Sequence, residues 1–453
     1  MELQNQKVTI IGMGRTSLAL SRLVLHHGGN PFISERRRRE ECSDFCRELD
    51  ALGIAYECGG HSDVALSDAA LLIPSPGVPY EHYLCTIARD KNIPVFSELE
   101  LASRFVSSTV IAVTGTNGKT TTTELIAHLL PSIGKSVALA GNNDMPCSEV
   151  ALLESQPKYL VLEVSSYQLE GTQTFRPDIA VVLNLSNDHL GRHKTMENYA
   201  AVKARLLQYQ TAEDVAILNA DDSVVLAMAE NVSASILTFG ASSECAVAIV
   251  DDTLRVNGVE MAHRSDSPLP GRHNSENILA AVAVLSVVGV EKDALQRGLG
   301  SFRGVEHRIE AVRELDGIAF YNDSKATNLD SLRVALESFD RPIVLIVGGE
   351  GKGSDYASLG ALIHSRVSCV VAIGTDAPLI DEAWSPTVPV FRARSMNDAV
   401  VCAHEQANTG DTVLLSPACA SFDMYANFEE RGKDFKRCVT ALTPTRTVHG
   451  ANS

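Results

Sequence analysis

Thr114-Gly115-Thr116-Asn117-Gly118-Lys119-Thr120 joins a short apolar run, Val110-Ile111-Ala112-Val113, to a stretch of helical pattern, Thr122 to Leu130. A buried strand, a glycine turn, Lys-Thr and a helix form the arrangement that cradles a nucleoside triphosphate. Loop N–H groups and the helix start face the phosphates, Lys119 supplies a positive charge and Thr120 a hydroxyl for Mg²⁺. The general pattern has glycine where this chain has Val113. A chance glycine turn is the competing reading, and Gly-Lys-Thr directly behind a buried strand argues against it. Other residues of chemical interest lie along the chain. Glu163 ends the apolar run Tyr159-Leu160-Val161-Leu162. A carboxylate there must meet a cation, either Mg²⁺ or a core lysine or arginine. Asn187-Asp188-His189 follows the run Ile179 to Asn184, a polar cluster at a strand end. Lys203 sits among Ala200, Ala201, Val202 and Ala204 on a helical pattern spanning Met196 to Tyr209, where it either snorkels or is chemically special. His273 and Asn274 open another helix, as caps or as nucleotide contacts.

These groups need a scaffold, and the N-terminal stretch supplies part of one. Val8 to Ile11 reads as a strand leading into Gly12-Met13-Gly14-Arg15-Thr16-Ser17, half of a dinucleotide fingerprint with Ser17 at the third glycine's place. Glu35 follows the next strand, where a ribose-binding acid would sit. The same loop suits a diphosphate on a helix N-terminus. Arg36 to Arg39 is a basic run that reads either as a solvated helix start or as a source of one arginine for a ligand. Pro74 to Pro79 is a stiff turn after the strand Leu71-Leu72-Ile73, at the carboxyl edge where open sheets bind ligands. Residues 213 to 262 alternate short strands and turns, with Asn257-Gly258 as a hairpin signal. Further on, Gly348-Gly349-Glu350-Gly351-Lys352 and Ser416 to Phe422 lie at strand ends, the latter entering a helix through Asp423 and Met424. The tail from Thr443 to Ser453 frays.

With 453 residues the chain accommodates two to four domains. The net charge of −17 speaks against nucleic acid or an anionic membrane as partner, though not against small anions in a local basic pocket. No apolar run reaches the ~20 residues of a membrane span, and the N-terminus lacks a signal peptide's apolar segment. Ten cysteines without a C-x-x-C pair read as reduced thiols, hence a cytoplasmic protein. Alternating strands and helices give an α/β fold in three domains: a Rossmann-like N-terminal domain (1–103), a P-loop-type central ATPase domain (104–304) and a Rossmann-like C-terminal domain (305–453).

The loop Thr114 to Thr120 resembles the phosphate loop of the Mur ligases, and the resemblance runs along essentially the whole chain. Asp323-Ser324-Lys325-Ala326-Thr327-Asn328, Ser416-Pro417-Ala418-Cys419-Ala420-Ser421 and Asn427-Phe428-Glu429-Glu430-Arg431-Gly432 are similar to the D-glutamate-adding branch of that family. The Asp-Asn-Pro-Arg motif of the diaminopimelate-adding branch is absent. Two departures stand out: Gly141-Asn142-Asn143-Asp144 replaces the usual Gly-Asn-Ile-Gly, and Gly191 replaces an aspartate.

The resemblance implies ATP-driven amide formation through an acyl phosphate, with UDP-N-acetylmuramoyl-L-alanine, D-glutamate and ATP as small-molecule partners of a monomeric enzyme. It implies two Mg²⁺ ions, held by Thr120 and by Glu163, His189 and a carbamylated Lys203. Gly115, Thr116, Asn117, Gly118, Lys119, Thr120 and Thr121 would bind the phosphates. His273, Asn274, Asn277, Arg308 and Asp323 would lie near the nucleotide. Gly12, Arg15, Thr16, Glu35, Arg36 and Gly77 would border the UDP-sugar, with Asn142 and His189 at its peptide end. Lys325, Thr327, Lys352, Ser421 and Phe428 would shape the D-glutamate site. Three rivals remain: a folylpolyglutamate-synthase-like ligase, an NAD-dependent oxidoreductase built on Gly12 to Ser17, and a nucleotide-switched binding module.

Overall fold

The structure is a computed structural model that describes residues 2–142, 145–186, 190–269, 271, 273–351 and 353–444. Asn143, Asp144, Asn187, Asp188, His189, Lys352 and the tail from Thr445 lie outside the described residues, as does the side chain of His273. The chain forms two compact units. One comprises Met1–Ser267 with Ser275–Gly300, the other Pro268–Asn274 with Ser301–Ser453.

The first unit carries two sheets. The smaller has four parallel strands in the spatial order Ala55–Glu57, Asn30–Ser34, Lys7–Ile11, Ala69–Pro74. Three of its strands are mostly buried, whereas the edge strand Ala55–Glu57 is partly exposed. The larger has nine strands, in the order Val259–His263, Thr253–Val256, Val247–Val250, Ser235–Gly240, Val215–Asn219, Ile179–Val182, Thr109–Thr114, Tyr159–Glu163, Val137–Gly141. All pair in parallel except the last two to form along the chain, which close an antiparallel hairpin. Asn257 and Gly258 turn it with φ of 48° and 79°, the double positive φ that a tight two-residue hairpin needs.

One hydrophobic core runs under both sheets. Leu20 and Leu23 of the helix Arg15–His26 share it with Cys147, Val150, Leu160 and Leu162. Two carboxylates on the short helix Glu98–Ala102 reinforce the seam. Glu98 is buried against the Ser148 N–H at 2.7 Å and the Ser148 hydroxyl. Burial pushes its carboxyl above the usual range. Glu100 accepts from the N–H groups of Gln173, Thr174 and Phe175 at 2.8–3.0 Å, from the Thr174 hydroxyl at 2.5 Å and from Arg104 at 2.6 Å. Burial works against the Glu100 charge, but these donors outweigh it and hold the carboxyl low.

The second unit has six strands, in the order Glu310–Leu315, Ile318–Asn322, Thr412–Leu415, Ile343–Gly348, Val367–Ile373, Val390–Arg392. The first pair is antiparallel and the rest parallel. Two helical expectations need correction. The helix bearing Lys203 ends at Ala204 rather than Tyr209, and residues 205–209 form turns. The segment after Ser421 does not enter a helix at Asp423. It turns until Asn427, whose side chain accepts from Glu430 N–H at 2.8 Å and caps Phe428–Ala441.

Candidate active site

The strand Thr109–Thr114 is flanked by Ile179–Val182 and Tyr159–Glu163, so its loop leaves the middle of the large sheet at the carboxyl edge. Gly115 and Gly118 have φ of 155° and 85°. A Cβ on Gly115 would lie 2.8 Å from Leu183 Cβ, and one on Gly118 would lie 2.2 Å from Asn277 Oδ1. Both positions therefore require glycine. Asn184 braces the loop like a short extra strand. Its carbonyl accepts from Thr116 N–H at 2.9 Å, its Oδ1 from Asn117 N–H at 2.8 Å, and its Nδ2 donates to the Asn117 carbonyl at 3.3 Å. Thr120 and Thr121 are buried at the start of the helix Lys119–Ser132. The Lys119 ammonium folds back onto the loop carbonyls of Gly115 (3.0 Å) and Thr116 (2.8 Å).

Lys203 reaches the same place from its helix. Only 1% exposed, it donates to Thr114 Oγ1 at 3.2 Å and to the Gly115 carbonyl at 2.8 Å, with its nitrogen 4.8 Å from the centre of the Tyr199 ring. Lys203 and Lys119 thus share one carbonyl acceptor. Two ammonium charges this close repel, and poor solvation strengthens the repulsion.

Glu163 lies on the neighbouring strand and is 4% exposed. Its Oε1 accepts from Asn142 Nδ2 at 3.0 Å, and the Asn142 N–H donates to the Glu163 carbonyl at 2.7 Å. Its Oε2 is buried without a hydrogen-bond partner among the described residues. An orphaned carboxylate oxygen beside a phosphate loop fits Mg²⁺, which takes one or two protein carboxylates and completes its shell with water and phosphate.

In the smaller sheet, Glu35 is turned toward the glycine loop. Its Oε2 accepts from Met13 N–H at 2.6 Å and its Oε1 from Arg37 N–H at 2.8 Å, while Arg37 Nη2 donates to Glu35 Oε2 at 3.0 Å. Burial opposes the charge, yet Arg37 and Met13 hold this carboxyl low. Gly12 has φ of 91°, and Arg15, Arg36 and Gly77 are exposed around the loop, with Thr16 half-buried. Arg192 ties this region to the large sheet, donating three hydrogen bonds to Glu170 at 2.6–3.2 Å and one to the Val78 carbonyl at 3.3 Å. The adjacent His193 meets Ser166 Oγ at 2.9 Å.

The second unit gathers its own group. Asp323 is buried, accepting from Ser416 Oγ at 2.8 Å and Ile309 N–H at 3.3 Å. Burial raises its carboxyl to about 7, with Ser416 and Arg308 pulling the other way. Lys325 points at the Phe428 ring, 5.8 Å from its centre. Ser421 is buried, Thr327 half-buried, and the Asn274 N–H donates to the Gly271 carbonyl at 3.2 Å. Arg431 organises these loops. It is 1% exposed and donates to Ser324 Oγ, to the Ser324 carbonyl, and to the carbonyls of Cys419 and Ala420, all at 2.9–3.1 Å. Burial pulls this guanidinium down to about 10. Within the first unit, then, the phosphate loop, Asn142, Glu163, Lys203 and Asn277 come together. Within the second, Arg308, Asp323, Lys325, Ser421 and Phe428 share one set of loops. Asn184, Arg37, Arg192 and Arg431 escaped sequence reasoning as site residues, although Arg431 lay within a quoted motif and Arg37 within the basic run.

A P-loop-type sheet and a smaller parallel sheet thus share the first unit, and the second unit carries a further α/β sheet. Three family models match in order: the Mur ligase MurD-like N-terminal domain over residues 6–97, the Mur ligase middle domain over 113–285, and the Mur ligase glutamate ligase domain over 307–419. The chain belongs to the Mur ligase family. Among its relatives is the UDP-N-acetylmuramoylalanine--D-glutamate ligase of Caldanaerobacter subterraneus subsp. tengcongensis, 38% identical over 98% of this chain and 100% of that protein. The enzyme of the same name from Acidobacterium capsulatum is 40% identical over 97% of each. Among solved structures, UDP-N-acetylmuramate-alanine ligase MurC from Thermotoga maritima superposes with a TM-score of 0.60 at 19% identity, covering 96% of this chain and 99% of that one, which speaks for the fold alone.

Proposed function

We propose that this chain joins D-glutamate to UDP-N-acetylmuramoyl-L-alanine at the expense of ATP, in peptidoglycan precursor synthesis in the cytoplasm. The observation that carries this reading is full-length similarity to ligases of that one specificity, on a chain whose phosphate loop is folded for a nucleotide. The folylpolyglutamate-synthase-like alternative gains no such support.

The chemistry follows from charge. A carboxylate and an amine do not condense in water, so a carboxylate oxygen of the UDP-linked substrate attacks the γ-phosphorus and ADP leaves. The amine of D-glutamate then attacks the acyl carbon, phosphate leaves, and the nitrogen gives up a proton. The first step brings an anion to a polyanion, so cationic groups must converge on the transferred phosphoryl. Gly115 to Thr121 hold the phosphates with backbone N–H groups, and Lys119 swings from the loop carbonyls to the γ-phosphate. Thr120, and Glu163 with His189 and a carbamylated Lys203, would hold two Mg²⁺ ions, which would supply divalent positive charge near the phosphates. The neutral amine of Lys203 is the form that would take up CO₂.

Asn142, anchored on Glu163, meets the peptide end of the UDP-sugar together with His189, and Gly12, Arg15, Thr16, Glu35, Arg36 and Gly77 border its nucleotide end. Asn277, Asn274, His273, Arg308 and Asp323 serve the adenosine part. Lys325, Thr327, Lys352, Ser421 and Phe428 receive D-glutamate, whose two carboxylates call for cations and hydroxyl donors. We place the domain boundaries at 1–103, 104–304 and 305–453 and the working form as a monomer. Mass spectrometry of a reaction containing all three substrates tests the reading. The UDP-sugar should gain one glutamyl residue with D-glutamate and not with L-glutamate. Gain with L-glutamate alone would point to another ligase.

A further inference from the structure

The second unit holds a buried chain of hydrogen bonds that the chemistry above leaves unused. Two loops leave neighbouring strands of its sheet side by side. Gly349 to Gly351 follows Ile343–Gly348, and Ser416 to Ser421 follows Thr412–Leu415. The loops pair like a short ribbon. Glu350 N–H donates to the Ala420 carbonyl and Ala420 N–H to the Glu350 carbonyl, both at 3.0 Å, and Gly348 N–H donates to the Pro417 carbonyl at 2.9 Å. Only glycine allows so close an approach. A Cβ on Gly349, whose φ is 139°, would lie 2.3 Å from the Ala420 carbonyl oxygen, and one on Gly351 would lie 1.8 Å from Asp376 Oδ2. Gly351 immediately precedes Lys352, and Ser421 ends the second loop.

Behind the ribbon, three buried side chains from three elements join. Tyr356 opens the short turn Tyr356–Leu359, Asp376 precedes the helix Ala377–Trp384, and Cys419 lies in the second loop. Tyr356 Oη donates to Asp376 Oδ2 at 2.7 Å and lies 3.1 Å from Cys419 Sγ. A phenol has one proton, so toward Cys419 its oxygen can only accept, and the thiol donates. Burial pushes the Cys419 thiol up to about 11, so it keeps that proton at neutral pH. The chain therefore runs one way, from Cys419 through Tyr356 to Asp376. Asp376 N–H closes the circuit on the Gly349 carbonyl at 3.0 Å. The Tyr356 ring is held independently of its hydroxyl. Trp384 Nε1 donates to the Tyr356 carbonyl at 2.8 Å, and the two rings meet edge to face with centroids 5.9 Å apart.

An amino acid with two carboxylates is gripped at two points at once, so the spacing of the loops that supply the grip decides the fit. We infer that the Tyr356 hydroxyl is a positioning group for D-glutamate: by tying Cys419 to Asp376 it sets the spacing between the loop leading to Lys352 and the loop ending in Ser421. Tyr356 acts through these loops, from behind them. This inference rests on the D-glutamate reading above.

The test is steady-state kinetics of the full chain as wild type, Tyr356→Phe, Cys419→Ala and the double variant. Tyr356→Phe keeps the ring against Trp384 and removes only the oxygen. It should raise the KM for D-glutamate at least about fivefold while kcat and the KM for ATP stay within about twofold. Cys419→Ala should shift the same KM in the same direction. The double variant should add less than about twofold to Tyr356→Phe, because both substitutions break one chain. An unchanged D-glutamate KM in Tyr356→Phe, an equal rise for ATP, or effects that multiply in the double variant would overturn the inference while leaving the substrate intact. If Tyr356→Phe does not fold, Cys419→Ala decides, and an unchanged D-glutamate KM there would overturn the inference. Failure of the wild type to turn over D-glutamate at all would overturn the reading beneath it, and this inference with it.

Discussion

Two lysines on one carbonyl define the chemistry at the residue scale. Gly115 O accepts from Lys119 and from Lys203, and Lys203 also donates to Thr114 Oγ1. With phosphates bound Lys119 would meet an anion, and in the proposed mechanism Lys203 would carry a carbamate facing divalent cations. Lys203→Ala should lose more than about a hundredfold in kcat, and short carboxylic acids should restore part of it by taking the carbamate's place. Lys203→Arg should stay inactive, since it keeps the wrong sign of charge. Full activity of Lys203→Ala in CO₂-depleted buffer would refute this role.

Asp323 gives a pH signature. Its carboxyl is raised by burial from the ordinary 3.8 to about 7, so the folded chain holds a proton that the unfolded chain releases in that interval. The contribution to stability is complete below about pH 4 and is lost as pH rises through about 7. Denaturant midpoints between pH 4 and 8 should fall more steeply for the wild type than for Asp323→Asn, which has no proton to lose. Parallel curves would show that Asp323 titrates normally.

At the scale of elements, the phosphate loop and the seam under it carry the geometry. Gly118→Ala puts a methyl at a positive φ and against Asn277. It should raise the KM for ATP at least tenfold while leaving that for D-glutamate within about threefold. Equal changes in both would mean that the loop does not hold the nucleotide. Glu100 tests the seam. Glu100→Ala strands the N–H groups of Gln173, Thr174 and Phe175 and unpairs Arg104, and should cost roughly 3 kcal/mol of stability or more in thermal or urea unfolding. A loss under about 0.5 kcal/mol, the scale of an ordinary surface substitution, would remove it from the seam.

At the scale of the whole molecule, much of this arrangement was legible in the sequence, because the informative features were local. The β-branched run before Thr114, the helical pattern after Lys119 and the charge of Glu163 inside apolar neighbours each follow from a short window. The hairpin at Asn257-Gly258 needed only two residues. What stayed hidden depends on tertiary partners. Asn184 looks like any strand-end asparagine until its amide is seen paired with Asn117. Glu35 reads as a ribose-binding acid in the sequence, and its hydrogen bonds to Met13 and Arg37 appear only in the structure. The helix ending at Ala204 instead of Tyr209 shows the same limit, since the apolar pattern through Leu206 and Leu207 continues into turns that are buried anyway. The shared core also changes what a fragment should do. Residues 1–103 alone would expose Leu20, Leu23, Leu99 and the two seam carboxylates. That fragment should not bind NADH at micromolar concentration by fluorescence, and such binding would revive the oxidoreductase reading.

The central claim is that phosphate release from ATP is tied to making one amide bond. The most direct measurement follows inorganic phosphate with ATP, Mg²⁺, UDP-N-acetylmuramoyl-L-alanine and D-glutamate, omitting each in turn, for wild type and Lys119→Ala. The account predicts sustained release only when all four are present, a fall to background when any is left out, and at least a hundredfold loss in Lys119→Ala with the fold intact by circular dichroism. Sustained release without D-glutamate or without the UDP-sugar, or release by Lys119→Ala within tenfold of wild type, would contradict it.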